Sequence, residues 1–127
     1  MDADKHHMEL VDGLYRQLEG IFQESRQGVY LYLDDNHRVC NKKFASLLGY
    51  HSPKEWARIK GSLLDETVAE TSRDTLVSAY QQATERFVAS TINVTWKNKN
   101  GGEVKTTVIL VPIIYDEHQF ALHFVSQ

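Results

Sequence analysis

Residues 28–40 constrain the fold more than any other segment. Gly28-Val29-Tyr30-Leu31-Tyr32-Leu33 is followed by Asp34-Asp35-Asn36-His37 and then by Arg38-Val39-Cys40. Aromatic and β-branched residues bounded by an Asp/Asn cluster read as two strands joined by a tight turn. Alternation puts Val29, Leu31 and Leu33 on one face of the first strand and Tyr30 and Tyr32 on the other. Neither face is hydrophilic, so the sheet containing this strand is expected to be covered on both sides.

The remaining chain supplies the cover. Over residues 8–25, Val11, Leu14, Tyr15, Leu18, Ile21 and Phe22 recur at three- and four-residue steps, which predicts an amphipathic helix. Gly13 and Gly20 each weaken it by up to ~1 kcal/mol against Ala, so packing must hold it, on the domain or on another chain. Asn41 suits an N-cap before Phe44, Leu47 and Leu48, and Gly49 suits the position just past that helix. Ser52-Pro53-Lys54-Glu55 reads as N-cap, first-turn proline and capping-box acid, with Trp56 and Ile59 following. Leu63 and Leu64 lie in a further short turn, and residues 71–86 form a longer helix with Leu76, Ala79, Tyr80, Ala83 and Phe87 as its stripe.

The last third is β. Ile92, Val94 and Trp96 alternate, Asn100-Gly101 marks a hairpin, and residues 104–114 form a long strand. Pro112 places an edge or bulge in it, because proline has no N–H to give a neighbour. Asp116-Glu117-His118 turns the chain into a last strand over 120–125. The expected class is α+β: a five-stranded antiparallel sheet with short helices on one face and an N-terminal flanking helix.

A length of 127 residues suits one domain, and 42 % hydrophobic residues exclude a wholly disordered chain. There is no low-complexity tract, linker or internal repeat. Lys plus Arg number 14 against 17 Asp plus Glu, a net charge of −3, which argues against a general nucleic-acid binder. No apolar run approaches the ~20 residues that span a bilayer. The acidic, polar start carries no secretory signal, and the single cysteine, Cys40, suits a reducing compartment. A soluble cytoplasmic domain is the expectation.

The decamer Asn41-Lys42-Lys43-Phe44-Ala45-Ser46-Leu47-Leu48-Gly49-Tyr50 resembles the N-x-x-F-x-x-L-x-G-Y core of PAS sensory domains. With the hairpin before it and the helices and strands after it, the resemblance covers residues 28–125. It implies a flanking helix over 1–27 and a PAS-like domain over 28–127. It also implies a non-catalytic sensory module that binds a small ligand, or dimerises, and relays a rearrangement to an output domain or partner. The decamer's own chemistry is structural: a cap, two core residues one turn apart and a helix stop.

The expected ligand space lies between sheet and helices, lined by Val39, Phe44, Leu48, Trp56, Leu64, Leu76, Tyr80, Val94 and Trp96. The alternative is a filled core, since Trp56, Trp96 and Tyr80 are large enough to occupy that space themselves. The cofactor is unknown. Flavin photosensors of the family carry a G-x-N-C-R-F-L-Q motif that is absent here, so a covalent flavin adduct at Cys40 is disfavoured while non-covalent flavin stays open. The family's usual haem ligand is a histidine on the long helix or nearby, and 71–86 has none. His37, His51, His118 and His123 remain, and alternation makes His123 a cross-strand or surface residue. No metal site is expected: His6 and His7 point about 100° apart on a helix and read as a solvated or frayed end.

No nucleophile elbow, P-loop, zinc-protease or dinucleotide motif is present. Asp34-Asp35 and Asp65-Glu66 read as turn and helix-start residues, and Arg73, Asp74, Glu85 and Arg86 as a solvated face. Leu14, Leu18, Ile21 and Phe22 would cover the outer sheet face, with Tyr30 and Tyr32 marking the surface they pack on, or meet a second subunit, and a homodimer through this helix is expected. Two rival functions are a cone-shaped enzyme of the ketosteroid-isomerase type, which the two strands preceding the helices disfavour, and a ligand-free interaction domain. No Asp-x-Thr segment follows Val125, and both a free-standing module and the sensor part of a longer protein remain open.

Overall fold

A computed structural model describes residues 2–127. Its elements are α1 (Asp2–Gln17), α2 (Glu19–Glu24), β1 (Gly28–Asp34), β2 (His37–Cys40), α3 (Lys42–Leu47), α4 (Pro53–Ala57), α5 (Leu63–Thr67), α6 (Glu70–Arg86), β3 (Ser90–Lys97), β4 (Glu103–Tyr115) and β5 (His118–Ser126). The strands form one antiparallel sheet in the order β2-β1-β5-β4-β3. Among the described residues no helix is long and apolar enough to cross a membrane.

Both faces of the sheet are covered, as the β1 alternation requires. On the inner face Tyr30, Trp96, Val108 and Leu110 pack against Phe44, Leu48, Trp56 and Leu76 from the helices α3–α6. On the outer face Val29, Leu31, Phe120 and Leu122 pack against Leu10, Val11, Leu14 and Phe22 from α1 and α2. At ~1.5–3 kcal/mol for each large apolar side chain, the outer layer stabilises the fold as the inner one does.

Most local signals act as expected. Asn41 and Ser52 cap α3 and α4 through their side-chain oxygens. Gly49 follows α3 at φ +84°, a conformation that side chains with a Cβ resist. Glu55 departs slightly from a capping box, accepting the N–H of His51 rather than that of Ser52. The β3–β4 ladder ends at the Ser90–Leu110 pair, so Pro112, paired with Ala121 of β5, lies where β4 has a single neighbour. Asp116 and Glu117 make a two-residue hairpin turn with φ of 48° and 65°, the mirror-image geometry that matches strand twist.

Two expectations need correction. The helix foreseen over 8–25 starts at Asp2 and breaks at Leu18 into α1 and α2. The break brings Phe22 edge-on to Tyr15, ring centroids 5.0 Å apart, over the outer face. Phe87 is not part of the α6 stripe: it is the left-handed C-cap (φ 58°), which turns its side chain away, and it is 46 % exposed.

The two glycines of the first helices differ in role. A Cβ on Gly13 would sit 2.2 Å from the Tyr115 hydroxyl, whereas one on Gly20 would meet nothing within 4 Å. Gly20→Ala should therefore stabilise the protein by up to ~1 kcal/mol, the helix-propensity difference. Gly13→Ala should forfeit that gain or destabilise. Urea denaturation of both variants is the check, and an equal gain would show that Tyr115 yields freely.

Candidate functional site

Tyr30 and His123 face each other across the β1–β5 ladder, on the inner side of the sheet. Their rings stack, with centroids 3.9 Å apart and planes 11° from parallel. Tyr80 of α6 presents a third ring, also 11° from parallel to His123, at 6.1 Å. Its hydroxyl donates to the Tyr32 carbonyl at 3.0 Å, and the Tyr32 hydroxyl donates to Asp35 Oδ1 at 3.0 Å. With Leu63, Leu64, Leu76, Val77 and Gln81 these rings line a cavity of about 280 Å³. That is near the lower end of small-molecule sites.

The cavity is electrically quiet. Burial pushes the His123 imidazole down to about 3, so the ring is neutral at pH 7. Its Nδ1 is buried with no hydrogen-bond partner among the described residues. Burial raises the Tyr30 phenol well above its ordinary value and pushes that of Tyr80 up to about 12. The Tyr32 phenol is raised as well, by burial and then by its bond to Asp35. The phenols therefore keep their protons, and no carboxylate, ammonium or guanidinium is among the lining side chains. The arrangement suits a small uncharged molecule with an aromatic or apolar body. A proton-abstracting carboxylate, which an isomerase of the ketosteroid type needs, is not in this wall.

No protein-family model matches the chain, and no curated protein matches it. Solved structures do. The PAS domain of an HTR-like protein from Haloarcula marismortui superposes with a TM-score of 0.60 at 16 % identity, covering 96 % of this chain and 98 % of that one. The PAS domain of a protein from Colwellia psychrerythraea gives a TM-score of 0.68 at 17 % identity, covering 90 % and 96 %. The chain has the PAS fold. A third likeness is to a longer protein: VqmA bound to DPO, at a TM-score of 0.64 and 10 % identity, where 88 % of this chain covers 56 % of that one.

Against this PAS framework the expected pocket residues divide. Leu64, Leu76 and Tyr80 line the cavity. Phe44, Leu48, Trp56, Val94 and Trp96 are at most 1 % exposed and fill the neighbouring core themselves. Phe44 packs edge-on against Trp56 at 5.2 Å and against Trp96 at 5.1 Å, which leaves no room between them. Val39 is misplaced by the expectation: it pairs with Leu31 and packs with it on the outer face. Tyr30, Tyr32, Leu63, Val77, Gln81 and His123 were missed. The β1 alternation carried the signal for the two tyrosines, and parity with Leu122 and Phe124 carried it for His123. His123 is a cross-strand residue, as expected, but at 1 % exposure it is not on the surface.

Arg38 of β2 buttresses the site from beside it. It is buried, lies 5.2 Å over the Trp56 ring and donates to the Asp35, Trp56 and Ile59 carbonyls. Cys40 is buried outside the cavity wall, and burial pushes its thiol up to about 12, far from the reactive thiolate. Of the residues expected at a dimer interface, Leu14 and Phe22 are buried on their own sheet, Leu18 is half-buried and Ile21 is 41 % exposed. His7 is not at a solvated end: its Nδ1 lies 2.8 Å from Asp34 Oδ2 of the β1–β2 hairpin.

Proposed function

We propose that this PAS-fold domain is a sensory module that takes a small uncharged ligand into the cavity between α5, α6 and the sheet. The observation that carries the proposal is His123: a buried, neutral imidazole with an unpartnered Nδ1 in a wall that, Gln81 apart, is aromatic and apolar. An unmet polar atom of this kind costs ~1–3 kcal/mol, which a ligand hydrogen bond would recover. VqmA, just over half of which shares this fold and whose structure is described as bound to DPO, supports the ligand reading by analogy.

A route outward supports relay. His123 sits on β5, which pairs with both β1 and β4, while Phe120 and Leu122 of the same strand touch the layer under α1 and α2. A shift of His123 against a ligand would be felt on the opposite face. In this reading residues 1–27 are the flanking element that carries the change, and residues 28–127 are the cytoplasmic sensor that passes it to an output domain or partner. Self-association through the first helices belongs to the same proposal. Leu14 and Phe22 are already covered, so a second copy would meet Ile21 and the open part of Leu18.

Native mass spectrometry with an absorption spectrum tests these points together. The expected result is a complex heavier than the 14.6 kDa chain by one small molecule, or by a second chain, or by both. Leu76→Trp, which fills the cavity, should abolish the small-molecule increment, and Ile21→Asp should abolish the doubled mass. If the parent stays at its apo mass after incubation with a library of small heteroaromatic compounds, the ligand reading fails. A doubled mass without ligand would favour the interaction-domain reading, which the packed cluster of Phe44, Trp56 and Trp96 supports.

A further inference from the structure

We propose that His7, His37 and Asp34 form a divalent-metal site, suited to zinc, that clamps α1 to the β1–β2 hairpin. The three residues come from α1, from the start of β2 and from the end of β1. Each offers one ligand atom, and these atoms all lie within 4.8 Å of one another. The His7 Nδ1 is 2.8 Å from Asp34 Oδ2, and the His37 Nδ1 is 2.6 Å from Asp34 Oδ1. The two imidazole rings are perpendicular, at 87° with centroids 5.5 Å apart, so they approach the carboxylate from different directions. Zinc bonds nitrogen and oxygen at ~2.0–2.2 Å, so a closed site needs its ligand atoms roughly 3.3–3.5 Å apart. His7 and Asp34 are each more than a third exposed and have the freedom to adjust their present contacts to that spacing.

A second observation concerns the orientation of His37. It is only 10 % exposed, and both of its ring nitrogens face carboxylate oxygens: Nδ1 faces Asp34, and Nε2 faces Asp4 Oδ1 at 2.8 Å. A metal ion bound at Nδ1 would leave Nε2–H to donate to Asp4. Histidine ligands to metals are commonly oriented in this way by a carboxylate on the far nitrogen. Asp34 is held in turn by the backbone N–H of Asn36, which donates to Oδ1 at 2.9 Å. Two imidazoles and a carboxylate fit zinc and its neighbours in the transition series, and they do not fit magnesium or calcium, which prefer all-oxygen shells. Binding would displace the protons now shared across the cluster, with water completing the coordination.

The site joins a flanking helix to the sheet, so the metal would fix α1 in its docked position. This inference stands apart from any ligand in the inner cavity. The experiment is titration of the full chain with zinc against a chromophoric chelator, with thermal melts in parallel. One equivalent should bind at micromolar concentration or tighter, and the melting midpoint should rise by several degrees at a hundredfold excess over Kd. His7→Gln, on a partly exposed helix position where folding is not at stake, should weaken binding at least tenfold and remove the thermal shift. His6→Gln should change neither, and magnesium should not compete. Absence of uptake at micromolar zinc, or uptake of one equivalent that survives His7→Gln, overturns the proposal.

Discussion

Asn41→Ala should lower the unfolding free energy by about 2–4 kcal/mol, more than an ordinary helix-cap loss of ~0.5–2 kcal/mol. The reason is that one amide side chain holds three elements. Its Oδ1 accepts the Phe44 N–H at 2.9 Å, which caps α3, and the Val29 N–H at 3.0 Å, which starts β1. Its Nδ2 donates to the Gln27 carbonyl at 3.0 Å, in the connection between α2 and β1. Asn41 is itself buried, so water cannot replace these bonds cheaply. Asn41→Asp keeps the acceptor, loses the donor to Gln27 and should fall between parent and alanine variant. Urea denaturation with unchanged m-values measures all three. A loss below about 0.5 kcal/mol for alanine would mean that neighbouring groups take over the bonds.

Acid should destabilise this domain through His123. Burial depresses its folded-state value to about 3, against ~6.5 for an unfolded histidine. Between those two values the unfolded chain binds a proton that the folded chain refuses, so stability rises with pH across this window and is lost as pH falls through it. The slope from one such group reaches at most ~1.4 kcal/mol per pH unit. His123→Phe preserves the stacking surface against Tyr30 and removes the proton site, so its stability profile should be flatter between pH 6.5 and 3. Asp34 adds a loss at still lower pH. Burial pushes its carboxyl up, but hydrogen bonds from His37, His7 and the Asn36 backbone overcome that and hold it below the usual range. Equal slopes for parent and His123→Phe would show that the imidazole escapes to solvent or finds a proton acceptor on acidification.

Local signals were legible because they depend on neighbours in sequence. The capping by Asn41 and Ser52, the helix start at Pro53, and the turns at Gly49 and Asn100-Gly101 each work within four residues, and their elements form where such patterns place them, whereas the bonds of Asn41 to Val29 and Gln27 are not written in that spacing. The alternation of β1 was legible for the same reason, since strand parity is a local property, but not which set faces inward: Tyr30 and Tyr32, expected under the first helix, lie on the inner side, and Val29 and Leu31 meet α1 and α2. What failed depends on pairing and on where helices settle. Val39 lies on the outer face, against expectation, because its side follows from its register with Leu31 and not from its own four-residue strand. The cavity lies by α5 and α6 rather than under α3 because Phe44, Trp56 and Trp96 interlock, and periodicity does not reveal which aromatic rings meet. The His7–Asp34–His37 cluster spans α1 and the hairpin, a distance that sequence spacing does not show.

The seating of β5 has a kinetic consequence. It is the last strand to emerge in synthesis, yet it lies between β1 and β4 in the middle of the sheet. Until it inserts, the β2–β1 ribbon and the β4–β3 ribbon share no ladder, and two open edges face each other across an empty slot. Closing that slot joins residues such as Gly28 and Val125, which are 97 positions apart in the sequence. Such distant closures slow folding and lengthen the time that sticky margins are bare. The sheet of a nascent copy therefore gains its ladder between the two ribbons only once β5 is free to insert.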